Sequence, residues 1–258
     1  MAKAAYAPRV TLVEHYTDSY FRFRVERPAG FRFQSGQFVM VGLEIEGAPV
    51  MRAYSVASAP WDDELEFYSI VIPDGRLTSR LRNITPGDEV LLSGKAVGSL
   101  TLRSLARGGR RLFLLSTGTG VAPFISIVRD PETYERFEHV FLTQTCRLEA
   151  DLRYAHDRAA EAKACPLVGE GAQSALRFFG STTREPSAHE GRITTLIESG
   201  ALFDGLGVSA LDPATDRVMI CGSKEMLRDT RAVLDARGLS PGSGTEPAGY
   251  TWEKAFAG

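Results

Sequence analysis

The tetrapeptide Arg52-Ala53-Tyr54-Ser55 brings a guanidinium, an aromatic ring and a hydroxyl together in one short stretch. A flat, redox-active ring with a phosphate tail needs these three groups: a cation for the phosphates, an aromatic face to stack on, and a small polar group near the reactive atom. The same residue types are common in ordinary strands, so the tetrapeptide alone leaves both interpretations open.

A Gly-rich turn follows, in which Gly75-Arg76 leads into a short helix, Leu77–Leu81, with Thr78 in its first turn. The unpaired backbone N–H groups and the positive dipole end of a helix start attract anions. A plain helix cap, made by Thr78 or Asp74, is the alternative. The occurrence of both features in this order favours a bound ring with a phosphate tail.

A second phosphate-binding pattern lies between a predicted strand, Leu112–Ser116, and a helix that begins near Ala122. Gly118 and Gly120 would allow the backbone to approach a pyrophosphate that faces the helix N-terminus. The third glycine of the usual dinucleotide fingerprint is absent, so a merely tight strand–helix turn is the alternative.

Three arginines, Arg147, Arg184 and Arg192, follow successive predicted strands. Open α/β sheets bind ligands at the carboxyl ends of their strands, and the planar fork of arginine matches a phosphate monoester. We therefore expect these side chains to be able to bind a phosphate group, with simple solvation as the alternative for any one of them. A further strand ends at Cys221-Gly222, where Cys221 could also be simply a small buried side chain.

Two kinds of element must position these groups. From Val10 to about Leu102, alternating β-branched and aromatic residues separated by Gly, Pro and Asp turns predict about six strands in a closed antiparallel β-barrel of the Greek-key type. Beyond the basic connector 103–111, apolar strands alternate with amphipathic helices, which predicts an α/β domain with a parallel sheet. The predicted domains are residues 1–102 and 103–258.

The composition excludes several classes of function. The 258 residues carry a net charge of −2, which gives no electrostatic case for nucleic acid or membrane binding. The three cysteines lack metal-type spacing, so no metal site is expected, and a reduced, cytoplasmic chain is predicted.

The order of the motifs resembles a known family. Arg-x-Tyr-Ser, Gly-Arg-Leu-Thr, Gly-Thr-Gly-Val-Ala-Pro and Cys-Gly-Ser follow one another as in ferredoxin–NADP(+) reductases, in particular the bacterial flavodoxin/ferredoxin type. The resemblance implies an FAD-binding barrel, an NADP-binding α/β domain whose C-terminal tail returns to the flavin, and electron transfer between NADPH and a one-electron carrier, ferredoxin or flavodoxin.

The resemblance also implies roles for individual residues. Ser55 would lie near the flavin N5 atom, and Cys221 would shape the nicotinamide pocket. Glu253 matches a carboxylate near the nicotinamide. The FAD contacts implied are Arg52, Ala53, Tyr54, Ser55, Tyr68, Ile70, Val71, Gly75, Arg76, Leu77, Thr78, Thr117 and Phe256. The NADP contacts implied are Gly118, Thr119, Gly120, Arg147, Thr183, Arg184, Arg192, Cys221 and Gly222.

The C-terminus departs from the plant-type reductases, which end on an aromatic residue that stacks on the flavin. Ala255 stands at the matching position here, and Phe256 begins a short extension. The small alanine is expected to leave the flavin face more open, and Phe256 to reach the adenine side of FAD.

The basic connector is a candidate docking surface for the electron carrier. Ferredoxins and flavodoxins are acidic, so a docking role is considered for Arg103, Arg107, Arg110 and Arg111, with simple solvation as the alternative. A monomer is expected. The alternative functions are a flavin reductase or oxygenase-reductase component with another acceptor, and a non-enzymatic flavin-binding module.

Overall fold

The computed structural model describes residues 4–255 of the chain. Its first half contains seven strands and one helical turn: β1 (Ala4–Tyr6), β2 (Val10–His15), β3 (Tyr20–Glu26), β4 (Phe38–Ile45), β5 (Ala48–Ser55), β6 (Glu64–Ile70), α1 (Thr78–Leu81) and β7 (Leu91–Ser93). The predicted helix at Leu77–Leu81 is thus a single turn.

These strands form two antiparallel sheets, with the orders β1-β7-β4-β5 and β2-β3-β6. The sheets are joined on one side by the bond from Ala57 N to Glu66 O (2.8 Å) and on the other by the bond from Val10 N to Asp88 O (2.8 Å). Inward-facing residues such as Phe23, Val41 and Phe67 are fully buried between them. The predicted antiparallel barrel is confirmed.

The second half alternates strands and helices. Its elements are β8 (Arg111–Thr117), α2 (Ala122–Ile127), α3 (Pro131–Arg136), β9 (His139–Cys146), α4 (Arg153–Ala164), α5 (Gly169–Ala175), β10 (Leu176–Thr182), α6 (Ile193–Ser199), α7 (Ala201–Leu206), β11 (Asp216–Gly222), α8 (Lys224–Ala236) and β12 (Tyr250–Lys254).

The five strands of this half are all parallel, in the order β10-β9-β8-β11-β12. Successive residues of a strand point to opposite faces, so Leu112 and Leu114 of β8 pack under α2, α4 and α5, whereas Phe113 and Leu115 pack under α6, α7 and α8. Both faces are covered, which explains why these strands read as continuous apolar runs. The predicted parallel α/β sheet is confirmed.

Candidate active site

A small cavity of about 190 Å³ lies where the two halves meet. Most of its wall comes from the ends of β5 and β6 and from the turn before α1. The second half contributes Thr119, Ala122 and Ala255. The complete lining is Arg52, Ala53, Tyr54, Ser55, Tyr68, Ser69, Ile70, Ile72, Gly75, Arg76, Leu77, Thr78, Thr119, Ala122 and Ala255.

Tyr54 presents a fixed aromatic surface to this cavity. Its hydroxyl and the hydroxyl of Ser69 are 3.0 Å apart, and its ring packs edge-on against Phe23 and Phe67. Burial raises the pKa of Tyr54 to about 12, so the phenol stays protonated near neutral pH. Ser55, the next residue, also lines the cavity.

The turn before α1 exposes backbone donors at the cavity. The hydroxyl of Thr78 accepts a bond from Ile72 N (3.1 Å) and donates to Ile72 O (3.2 Å), so it closes the turn and does not cap the helix. Within residues 4–255, the backbone N–H groups of Arg76, Leu77 and Thr78 form no hydrogen bond. Such unpaired donors suit a phosphate.

A larger cavity of about 440 Å³ adjoins the first. Its wall comes from the carboxyl ends of β8, β9 and β11, as expected for a ligand site of an open α/β sheet. Ile70 lines both cavities. The complete lining of the larger one is Tyr20, Ile70, Thr117, Gly118, Thr145, Cys146, Arg147, Thr183, Arg192, Ile193, Thr194, Ser223, Glu225, Met226 and Asp229.

The three arginines predicted to bind phosphate lie close together and are exposed. Arg184 N donates to Arg147 O (3.0 Å). Arg147 and Arg192 line the larger cavity, and Arg184 and Arg192 line a neighbouring surface depression. Among the described residues their guanidinium groups form neither hydrogen bonds nor ion pairs, which leaves three cations available to an anion.

Two glycines let the β8 and β11 loops approach each other. A Cβ atom on Gly120 would lie 2.2 Å from Cys221 O, and one on Gly222 would lie 2.3 Å from the Thr117 hydroxyl oxygen. That hydroxyl also accepts a bond from Ser223 N (3.3 Å). Gly120 therefore serves loop packing in this structure and lines neither cavity.

The remaining predicted catalytic residues cluster at the ends of β11 and β12. Cys221 and Glu253 are register partners, and Ala255 N donates to Gly222 O (3.1 Å). Cys221 is buried, and burial raises the pKa of its thiol. Desolvation by burial raises the pKa of Glu253 to about 7. Its Oε2 atom is buried with no partner among the described residues.

Other predicted site residues stand apart from the cavities. The Val71 side chain packs in the barrel core, and Cys221, Gly222 and Glu253 line neither cavity. Thr119, predicted for NADP, lines the smaller cavity, and Thr117, predicted for FAD, lines the larger one. Phe256 lies outside the described residues.

Two of the connector arginines, Arg110 and Arg111, form ion pairs within the chain. Arg111 donates from Nε to Oδ1 of buried Asp216 (2.6 Å), and exposed Arg110 pairs with Glu138 (2.6 Å). Arg110 immediately precedes β8 and Arg111 is its first residue, so both lie at the amino edge of the sheet, whereas the cavities lie beyond its carboxyl edge, about 20 Å away at 3.3 Å per residue. A docking role for the connector arginines stays a prediction, and these two side chains would offer a carrier charges that are already paired within the chain.

Some lining residues were not predicted. Ser69, Ile72 and Ala122 line the smaller cavity, and Thr145, Thr194 and Ser223 line the larger one. The last three end a strand or begin a helix, so their position relative to predicted elements could have indicated them.

Residues 4–255 contain neither a metal-binding cluster nor a membrane-spanning helix. Within residues 4–255, no group of three or more His, Cys, Asp or Glu side chains is arranged to hold a metal ion. No helix in that range has the length and apolarity needed to cross a membrane.

Two family models match the chain. Residues 10–100 match the oxidoreductase FAD-binding domain, and residues 114–232 match the oxidoreductase NAD-binding domain.

Named relatives match nearly the whole chain. Ferredoxin–NADP reductase A of Sorangium cellulosum is 53% identical over 95% of this chain and 88% of its own length. The ferredoxin–NADP reductase of Pseudomonas aeruginosa is 47% identical over 97% of each chain. The solved structure of a ferredoxin–NADP(+) reductase from Neisseria gonorrhoeae, with bound FAD and NADP, superposes with a TM-score of 0.87 at 31% identity, covering 97% of this chain and 98% of the other.

Proposed function

The chain belongs to the ferredoxin–NADP reductase family, and on that basis we propose that it is an FAD-dependent enzyme that transfers electrons between NADPH and a ferredoxin or flavodoxin. The observation that carries this function is the adjacency of the two cavities at Ile70. A ring held in one can thereby meet a nicotinamide held in the other.

The smaller cavity fits FAD. Tyr54 offers a ring for stacking, the free N–H groups of residues 76–78 and the Arg52 guanidinium suit a pyrophosphate, and the buried Tyr68 hydroxyl lacks a partner among the described residues. Bound FAD would supply the exchange between two-electron hydride transfer and one-electron transfer. The chain's task is to hold that group and exclude water around it.

The larger cavity is proposed to hold NADP. The phosphorylated ribose would contact Arg147, Arg184 and Arg192, whose clustering and lack of other partners within residues 4–255 support this assignment. Thr183 lies beside them, since its hydroxyl donates to Cys146 O (3.2 Å). Gly118, which lines this cavity, would face the pyrophosphate, whereas Thr119 lies on the wall of the smaller cavity.

The nicotinamide end is proposed to lie between Ser55 and the β11–β12 end. Ala255 faces the smaller cavity with only a methyl group, which supports an open flavin face. Cys221 and Glu253 line neither cavity but are register partners at the strand ends that carry Ala255, so we assign them to shaping this end of the site. We keep Phe256 as a proposed contact of the adenine side.

The acidic carrier is proposed to dock near Lys254. A surface groove between α8 and β12 is lined by four basic residues, Lys224, Arg228, Arg231 and Lys254, and by two acidic ones, Glu225 and Asp235, so its charge is positive on balance. It also contains exposed Trp252. Lys254 directly precedes Ala255 of the smaller cavity, so a carrier bound there would approach the flavin closely. Charge complementarity supports this surface.

Three further proposals concern the whole chain. We propose a domain boundary between residues 102 and 103, which the family-model matches 10–100 and 114–232 flank. The location proposed is the cytoplasm, supported by three free cysteines. A monomer is proposed because both cavities are completed within one chain.

The function is tested by titrating the purified protein with NADPH and with NADH and following flavin absorbance. We expect NADPH to reduce the flavin and NADH to do so poorly. Substituting Arg147→Ala should raise the KM for NADPH roughly 10- to 100-fold, since a hydrogen bond to a charged group contributes about 1.5–3 kcal/mol. Its effect on NADH should be small. A protein that binds FAD but is not reduced by NADPH would contradict the proposal.

The carrier is tested by the rate at which NADPH-reduced protein passes electrons to purified ferredoxins and flavodoxins. Activity with small-molecule acceptors alone would instead favour a flavin reductase.

A further inference from the structure

One face of β6 points away from the barrel core. It is partly buried between the two halves of the chain and partly lines the smaller cavity. Leu65 and Phe67 point into the barrel core. The alternate residues Glu66, Tyr68 and Ile70 therefore share the opposite face, which the second half covers. Tyr68 and Ile70 line the smaller cavity, so Glu66 lies one step behind its wall on the same face.

Glu66 is a buried carboxylate held by three arginines. Its side chain is 5% exposed, and its Oε2 atom accepts bonds of 2.7 Å from Arg22 and Arg24. Arg158 of α4 approaches the same atom at 3.8 Å. Burial opposes ionisation, but the guanidinium groups outweigh it and hold the pKa of Glu66 below its usual value.

The other oxygen of this carboxylate binds across the interface. Glu66 Oε1 accepts a hydrogen bond of 2.9 Å from the hydroxyl of Tyr154 in α4. Tyr154 is fully buried. Because the acceptor is ionised, such a hydrogen bond is stronger than one between neutral groups, so it helps to fix where the Tyr154 ring lies.

The Tyr154 ring in turn lies flat on Tyr68. The ring centroids are 3.9 Å apart and the planes differ by 10°. Tyr20 of β3 also stacks on Tyr68, at 5.6 Å and 18°, and Tyr16 meets both Tyr68 and Tyr154 edge-on. The wall residue Tyr68 is thereby held by aromatic contacts from both halves of the molecule.

We propose that Tyr154, anchored by Glu66, is a positioning residue for flavin reduction: it sets the ring plane of Tyr68 and thus the wall that β6 presents to the flavin. The proposal rests on the proposed function. Reaction rates depend steeply on such positioning, and a displacement of about 1 Å can cost about 100-fold. Tyr154 itself lines neither cavity.

The test compares Tyr154→Phe, which keeps the ring and removes the bond to Glu66, with Tyr154→Leu, which also removes the stack. For each variant the affinity of the FAD-stripped protein for FAD, the visible circular dichroism of the bound flavin, the rate of flavin reduction by NADPH and the Tm are measured. We expect Tyr154→Phe to slow reduction roughly 3- to 10-fold and Tyr154→Leu more. Both should bind FAD more weakly and change its dichroism, with the KM for NADPH little altered.

A matched control is Asp62→Asn. Asp62 of the barrel pairs with Arg129 of the second half, with the Nη2–Oδ1 bond at 2.9 Å, so this pair also bridges the halves but does not touch Tyr68. We expect a lower Tm with an unchanged reduction rate and flavin dichroism.

Two outcomes would overturn the proposal. One is a Tyr154→Phe variant with wild-type reduction rate, FAD affinity and dichroism, even if its Tm is lower. The other is an Asp62→Asn control that slows reduction as much as Tyr154→Phe does. If Tyr154→Leu does not fold, Tyr154→Phe decides alone. A wild-type protein that NADPH does not reduce would instead refute the proposed function, and the FAD affinities would still test the positioning role.

Discussion

At the scale of single residues, loss of the Ser55 hydroxyl should affect the rate of flavin reduction more than the binding of FAD. It lines the smaller cavity beside Tyr54. Substituting Ser55→Ala should slow flavin reduction by NADPH roughly tenfold or more, as removal of a preorganised donor does in other active sites, while FAD stays bound through the other contacts. Stopped-flow absorbance measures the rate.

The control is Ser79→Ala, because Ser79 donates to Gly75 O (2.8 Å) near the cavity without lining it. Wild-type reduction by Ser55→Ala would reject the assignment.

Glu253 should make stability depend on pH in a distinctive way. Its folded pKa of about 7 lies above the ordinary 4.5, so between these values the folded chain keeps a proton that the unfolded chain loses. The free energy of unfolding therefore falls as pH rises through this window and is constant above it. At about 1.4 kcal/mol per pKa unit, the loss is on the order of 3 kcal/mol.

Comparing the wild type with Glu253→Gln by urea unfolding from pH 4.5 to 8 isolates this contribution, because all other side chains are the same in both proteins. The variant should gain stability relative to the wild type as pH rises. Parallel curves would mean that Glu253 is not held protonated.

Residues in local motifs could be predicted from the sequence, whereas contacts between distant positions could not. Local patterns indicated Arg52, Tyr54 and Thr78, since these residues lie in short motifs that bind phosphate or rings by themselves. The Glu66–Tyr154 contact joins positions 88 residues apart. An acidic residue such as Glu66 within a strand gives no local sign of its partner, so only the packed structure could identify it.

At the scale of elements, the ion pair between Arg111 of β8 and Asp216 of β11 should stabilise the sheet without affecting turnover. Asp216 is fully buried and also accepts a bond from Asp212 N (2.8 Å). Asp216→Asn leaves a buried cation poorly paired, which costs on the order of 3 kcal/mol and should lower the Tm by roughly 6–12 °C.

The matched control is Arg110→Gln, which breaks the exposed pair with Glu138 and should leave the Tm nearly unchanged, because exposed ion pairs add little to stability. Turnover at low temperature should match the wild type in both variants. Slow turnover with normal stability in Asp216→Asn would contradict this account.

Elements with strong periodic patterns were predicted well. The alternation of β3 and β6, and the apolar runs of β8 and β11, reflect burial of one face or of both faces. β1 and β12 were not predicted as strands, because each is short and lies at a sheet edge. Their strand conformation comes from pairing with β7 and β11, which their own sequences do not specify.

At the scale of the whole molecule, the net charge of −2 conceals a basic groove between α8 and β12. If an acidic carrier docks there, turnover with that carrier should fall as ionic strength rises, since exposed charges are screened beyond about 10 Å at 0.1 M salt. Turnover with a neutral small acceptor should change little.

Lys254→Glu should raise the KM for the carrier, whereas Arg107→Glu, at the distant amino edge of the sheet, should not. The opposite ranking would return the docking site to the connector.

The smaller cavity takes its wall from both halves of the chain, with Thr119, Ala122 and Ala255 facing residues of the barrel. A dinucleotide bound there contacts both halves of the chain, so it is held only while the two halves are packed against each other. Heating should therefore release the flavin, and restore its fluorescence, as soon as the two halves separate, before either half unfolds. The signal of the bound flavin would thus report, in every variant described above, whether the two halves are packed together.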